Sequence, residues 1–309
     1  MSARAHALER AAPLNAHPRV VAAHRRSSLA LALPGLGGVL LAPLHAWFFG
    51  VTATDLAILA VAWWLTLGPG LSVGYHRHFA HRSFAAPRAV RRALAVLGSM
   101  GAQGPLLYWV AVHRRHHEHG DAPGDPHSPH QHGRGLGGTL RGLWHAHYGW
   151  SLASGMPSSA HYCPDLAREP WIVAVSRQHR RWVLVGLALP ALAGLALTGT
   201  ARGALGGFVW GGLVRLFLTS NLTWSLNSIC HRFGARAFET ADRSVNNAWL
   251  ALPTLGESWH NNHHARPACA AHGRRWWQLD PNYACIRALA ALGLASEVRR
   301  PHAEPQNRE

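Results

Sequence analysis

Three short runs crowd histidine into metal-binding spacings. "HRHFAH" supplies His76 and His81, "HRRHH" supplies His113, His116 and His117, and "HNNHH" supplies His260, His263 and His264. An HxxHH run sets imidazoles at i, i+3 and i+4, on one face of a helix, whereas HxxxxH suits a helix end or a turn. Neutral imidazole binds several transition metals, iron among them, without needing a negative charge nearby. Eight such groups exceed the four ligands of a zinc ion and fit two metal ions. The remaining histidines read differently. His6, His17, His24, His45, His161, His179 and His302 are expected at the surface or at an interface. His119, His127, His130, His132, His145 and His147 divide between solvated loop and groups that orient a ligand. The stretch "DPHSPHQHGRG" reads as a turn-rich loop in which Asp125 and His127 could hold metal ligands by hydrogen bonds without being ligands themselves. Glu257 is not counted as a ligand either.

The elements that position these groups include membrane spans. The 309 residues are 48% hydrophobic, with 14 tryptophans, and the 30 basic residues, all arginine, face only 14 acidic ones. Clustered arginine would ordinarily suggest nucleic acid, but four apolar stretches exclude that class. They cover about 29–49, 55–75, 182–200 and 204–224, near the 20 residues or so that a bilayer requires. The pattern is two hairpins separated by a long polar middle. A fifth apolar run, 89–112, is interrupted by Arg91, Arg92, Gln103 and Pro105 and is expected to lie at the interface, which keeps every histidine run on one side. Five arginines precede the first span, thirteen separate the second from the third, and ten follow the fourth. This asymmetry predicts that both termini and the central region face the cytosol. The expected architecture is all-α: a basic segment over 1–28, spans and histidine-bearing parts (76–181 and 225–300) over 29–300, and a tail over 301–309. Cys163, Cys230, Cys269 and Cys285 lie far apart and read as reduced thiols.

The order HxxxxH, HxxHH, HxxHH with two hairpins resembles the membrane-bound fatty-acid desaturases, in particular the Δ9 acyl-CoA and acyl-lipid (stearoyl-CoA type) group. The resemblance runs from about residue 70 to 295 through "GYHRHFAHRSF", "YWVAVHRRHHEHGDAPGDPHSP", "HAHYGW", "TWSLNSICHRFG", "GESWHNNHHARP" and "RALAALGLA". It implies a further ligand that spacing does not suggest, His231, with Asn227 holding iron through water. Nine histidines then divide between two irons. The resemblance also implies an acyl tunnel bent at Gln103, Trp109, Thr223 and Trp224, and O2 as co-substrate. It weakens at Ala111 and Val112, where animal acyl-CoA enzymes carry basic residues before the second histidine run. Arg215, inside the fourth span, is left without a role.

Two electrons per turnover must arrive from outside, because the chain has no haem module, no ferredoxin cysteine set and no GxGxxG fingerprint. A separate ferredoxin or flavin/iron–sulfur reductase is expected, along with a saturated acyl substrate on CoA, acyl-carrier protein or lipid. A bacterial inner-membrane location follows from the same reading. Two rivals stand beside desaturation: hydroxylation of an alkyl chain or sterol by a related diiron site, and a metal- or haem-binding membrane protein. Transporters, however, place ionisable ligands near mid-membrane, and haem needs only one or two histidines.

Overall fold

The computed structural model describes residues 13–152 and 155–300. His6, His302 and the expected tail over 301–309 lie outside the described residues. Among the described residues, four helices are long and apolar enough to cross a membrane: α1 (Pro18–Phe49), α2 (Ala53–Ala80), and, later in the chain, His179–Thr198 and Ala201–Ser228. Between them come α3 (Arg88–Met100), α4 (Leu106–His119), α5 (Gly135–His147) and α6 (Pro170–Arg177), so the third and fourth long helices are α7 and α8. Two short helices follow, α9 (His260–Ala265) and α10 (Pro281–Ala291). The departure from all-α is a two-residue antiparallel pairing of β1 (Leu14–Asn15) with β2 (Met156–Pro157).

Local chemistry explains where the helices begin and end. Pro18 at the first turn, with the His17 side chain accepting from Arg19 N, starts α1 eleven residues before the apolar run. Part of the expected basic segment is therefore helix continuous with the first span. Thr52 and Asp55 form a reciprocal capping box at the head of α2. From Thr66 onward α2 winds as a π-helix through "TLGPGLSVGYHRHFA" to Ala80. His76 therefore sits on the helix, not beyond it as the apolar pattern suggested. The run 89–112 is not one helix. It breaks between Gly101 and Pro105, where Ala102 (φ 57°) and Gly104 (φ 97°) adopt left-handed backbone, and α3 and α4 leave at separate angles.

Helix α8 is the hub of the long helices. Both α1 and α2 make their main helix contacts with it, as does α7. Close approach needs missing side chains: a Cβ on Gly207 would lie 2.1 Å from the Pro190 carbonyl oxygen of α7, and one on Gly38 of α1 would lie 2.7 Å from the Leu213 backbone. At the centre lies Arg215, fully buried. Its guanidinium donates to Gly211 O (2.8 Å), Met100 O (2.9 Å), Gly186 O (3.0 Å) and Thr66 Oγ1 (3.3 Å), tying α8, α3, α7 and α2 together. The main hydrophobic cluster lies beside this bundle, where Leu71, Tyr75 and Phe79 of α2 meet Leu94, Leu106, Val110, Ile172 and Ile286.

Two histidines expected at a surface are core groups. His45 is 4% exposed and accepts a hydrogen bond from Trp210 Nε1 (3.2 Å), and His179 is 3% exposed. Helix packing covers both, which no local pattern announces. His24 is half-buried against Tyr108 (3.2 Å), while His17 and His161 are exposed.

Replacing Arg215 with Met keeps the volume and removes every donor, leaving buried carbonyls unpaired. Arg215→Met is expected to cost about 3 kcal/mol of stability, read as a lower thermal unfolding midpoint in detergent. An unchanged midpoint would show that the ties carry no stability.

Candidate metal centre

The end of α2 supplies the first imidazoles. His76 lies in the last π-turn, and His81, whose N–H donates to the His76 carbonyl (3.1 Å), closes it. Helix α4 carries His113, His116 and His117 on the face its spacing dictates. At the other end of α8 the helix unwinds after Ser228, through Cys230 N donating to Ser225 O (3.2 Å), and delivers His231. The short α9 holds His260, His263 and His264. A six-residue helix cannot hold itself, and the two asparagines between its histidines clamp it. Asn261 Oδ1 accepts from Ala237 N and Phe238 N (both 2.8 Å), and Asn262 Nδ2 donates to His272 O (2.9 Å) and Gln278 Oε1 (3.0 Å).

These nine histidines gather into two groups. His76, His81, His113, His117 and His263 form one, and His116, His231, His260 and His264 the other, with the nitrogens of each group within 4.8 Å of one another. Each HxxHH run is split between the groups, so α4 and α9 both bridge them. The inward atoms are Nε2 nitrogens: His81 and His113 are 2.6 Å apart, His117 and His263 3.0 Å, His76 and His263 3.1 Å, His231 and His260 3.1 Å, and His260 and His264 3.1 Å. Metal–imidazole bonds of about 2.1 Å set at right angles put neighbouring nitrogens about 3.0 Å apart, so the spacing is that of ligands around a cation.

Carboxylates fix the outward nitrogens. Asp125 accepts from His116 Nδ1 (3.0 Å), Asp121 from His231 Nδ1 (2.8 Å), Asp242 from His264 Nδ1 (2.7 Å) and Glu257 from His76 Nδ1 (2.5 Å). With the proton held on Nδ1, each Nε2 lone pair faces inward. Glu257 also accepts from Arg77 Nε and NH2, and Asp280 receives the same guanidinium. Burial, then the neighbouring imidazoles, pushes His81, His113, His117, His260, His263 and His264 well below the ordinary histidine range, so they stay neutral and available as ligands. Burial also lowers His116, but Asp125 outweighs it and leaves that group above its ordinary value. Burial would raise Asp121 and Asp125, yet their histidine partners hold both well below the carboxylate range. The donor set fits two first-row metal ions, which would sit among the two Nε2 groups.

A cavity of about 450 Å³ runs beside the first group. Gln103, Trp109, Thr223 and Trp224 all line it, together with His113, His127 and Asn227. Trp109 stacks on His113 at 5.1 Å and 14°, and Gln103 Nε2 donates to Ser220 Oγ (2.8 Å). Val112, just before the second histidine run, also lines the cavity, while Ala111 is fully buried. The turn-rich loop after α4 is in part a wall, with Asp125 7% and His127 4% exposed; Asp125 holds His116 by a hydrogen bond, and burial lowers His127 to about 3.

Sequence reasoning missed Asp121, Asp242 and His272 altogether, and gave Glu257 no part in holding a ligand. A signal was present for Asp121 and Glu257: with only 14 acidic residues in the chain, carboxylates within a few residues of histidine runs are rare enough to ask about, whereas Asp242 lies far from any such run. Asp242→Ala is expected to leave the fold intact and weaken metal retention in the second group about 10–100-fold. Metal per chain after a timed chelator challenge measures this, and a wild-type release rate would refute it.

A family model described as fatty acid desaturase matches residues 54–299. The chain is 45% identical over 269 residues to the hex-5-enoyl-[acyl-carrier protein] acetylenase of Moorena producens, covering 86% of this chain and 84% of that one. It is 35% identical over 257 residues to the sn-1 stearoyl-lipid 9-desaturase of Anabaena variabilis (81% and 85%), and 36% identical over 239 residues to an acyl-CoA C20 Delta5-desaturase of Anemone leveillei (75% and 70%). Nine inward imidazoles, four long apolar helices and these similarities converge: the chain belongs to the fatty acid desaturase family, whose members are oxidoreductases acting on fatty acyl chains.

Proposed function

We propose that the protein introduces a cis double bond, at Δ9, into a saturated fatty acyl chain. The observation that carries this reading is the pair of imidazole groups, the first of which meets, through His113, a cavity walled by Trp109, Thr223, Trp224 and Val112. Two irons bound there would supply the oxidising power, drawn from O2, to remove hydrogen from an unactivated methylene pair. The reaction balances as –CH2–CH2– + O2 + 2 e⁻ + 2 H⁺ giving –CH=CH– + 2 H2O. Electrons come from a separate ferredoxin or flavin/iron–sulfur reductase, drawn to an arginine-rich face.

The chain's own residues hold and shield the reaction. His76, His81, His113, His117 and His263 would hold one iron and His116, His231, His260 and His264 the other, with Asn227 reaching iron through a water. Trp109 and Trp224 shape the cavity around the reacting carbons and exclude water, and Gln103 and Thr223 place polar atoms at the bend. The acyl group arrives on CoA, acyl-carrier protein or a lipid. Ala111 and Val112, buried and apolar, make no contact with a charged carrier, so the animal acyl-CoA mode of recognition is disfavoured. The excess of arginine before the first span, between the second and third and after the fourth supports a site and termini on the cytosolic side, in a bacterial inner membrane.

One observation favours a second reading. Similarity to an acetylenase over most of both chains fits removal of two further hydrogens from an existing double bond by the same centre. Gas chromatography with mass spectrometry of lipids from an expressing host separates these outcomes. A new monounsaturated acyl chain with its bond at carbon 9 is expected. An alkyne would select the second reading, and a hydroxy acid without a double bond would select the hydroxylase. His263→Ala is expected to cut product more than about 100-fold, because a metal ligand is lost, while membrane insertion stays normal.

A further inference from the structure

A tenth histidine lies against the first metal group. His272 is 1% exposed and rigidly placed: its N–H donates to Asp280 Oδ2 (2.7 Å) and its carbonyl accepts from Asn262 Nδ2 (2.9 Å), the same clamp that holds α9. Its ring lies 4.5 Å from that of His263 at 35°, and 5.4 Å from that of His76. Among the described residues neither ring nitrogen has a hydrogen-bond partner, and the nearest acceptor, Glu257 Oε1, is 3.6 Å from Nδ1. Leaving a buried donor or acceptor unpaired costs about 1–3 kcal/mol. The cost is compounded beside it. His263 turns Nε2 to the metal group, so its proton is on Nδ1, and that atom too is buried without a partner.

A third metal ion is not the answer. His272, His76 and Glu257 could enclose a cation, but Arg77 already places a full positive charge on Glu257 through two hydrogen bonds. Nor does His272 belong to either set of converging Nε2 atoms. What the unpaired atoms share is proximity, on two buried rings whose centroids lie 4.5 Å apart. A buried water needs two to four polar partners, and His263 Nδ1 and a His272 nitrogen supply two.

Resting on the two-iron reading above, we propose that His272 is a positioning residue for the first iron, holding His263 in its ligating tautomer and orientation. His263 Nδ1–H donates to a bound water, the water donates to one His272 nitrogen, and the other, Nδ1, faces the Glu257 carboxylate. Glu257 then anchors His76 directly and His263 through His272, while in the second group Asp121, Asp125 and Asp242 anchor their histidines without an intermediary.

The test uses the full-length protein from an iron-replete host, with His272→Leu, His272→Asn and His272→Gln compared for iron per chain, release to a chelator, and ⁵⁷Fe Mössbauer spectra. Wild type is expected to hold close to two irons. His272→Leu and His272→Asn are expected to lose one of the two about 10–100-fold faster, with one quadrupole doublet altered and the other unchanged. His272→Gln, long enough to keep a polar link, is expected to stay within about threefold of wild type. Retention of both irons at the wild-type rate with both doublets unchanged, in His272→Leu or in His272→Asn if the leucine variant does not fold, overturns the proposal. Equal loss of both irons in all three variants also overturns it, since that is a packing defect. A wild-type protein without two irons would instead overturn the two-iron reading itself.

Discussion

Nine imidazole lone pairs turned inward, several only about 3 Å from the next, repel one another unless cations sit among them. The surrounding structure serves to keep them so arranged. Burial keeps six of them neutral, which removes proton competition for the metal, and carboxylates on the outward nitrogens of His76, His116, His231 and His264 fix the direction in which those lone pairs point. Arg77 in turn keeps Glu257 ionised inside the protein, where burial alone would protonate it. The centre is therefore layered, with imidazoles inside, carboxylates around them, and a guanidinium behind one carboxylate.

The long helices supply the rigidity this arrangement needs. Histidines from α2, α4, α9 and the end of α8 must meet within a few ångströms, so a shift of α4 or α9 would break both groups and a shift of α2 or α8 one of them. Glycine at the crossings lets α8 approach α1 and α7 closely, and Arg215 spans four helices at one level. An arginine with no acidic partner is an expensive group to bury, and here carbonyl oxygens and a threonine hydroxyl satisfy its donors. The π-wound half of α2 has a related use. A wider turn rotates His76 and His81 relative to the apolar face below them, so one helix serves both the bundle and the centre.

The cavity relates the centre to a substrate. Tryptophans and aliphatic side chains make up much of its wall, with Gln103, Ser220, Thr223 and Asn227 among the polar groups and Arg19, His24, Ser27 and Ser28 added by α1. Such a surface suits a hydrocarbon chain that must be held at a fixed depth. The stacking of Trp109 on His113 makes the same side chain part of the cavity wall and a support for a metal-facing ring.

Spacing and composition by themselves determined a good deal: the histidine faces of α4 and α9, the four long apolar helices, and the fit of eight imidazoles to two metal ions. These are properties of local periodicity, readable wherever 3.6 residues make a turn. The ninth inward imidazole, His231, came only from likeness to a family, because "NSICH" at an unwinding helix end has no periodic signature. Which imidazole joins which group was settled by tertiary structure, since each HxxHH run divides between the two. So were the carboxylate partners Asp121 and Asp242 and the buried His45, His179 and His272, all brought into place by contacts between distant segments. Burial and pairing across 22 to 181 residues of chain, as for His264 with Asp242 and His76 with Glu257, depend on how helices pack, and packing is a property of the whole bundle.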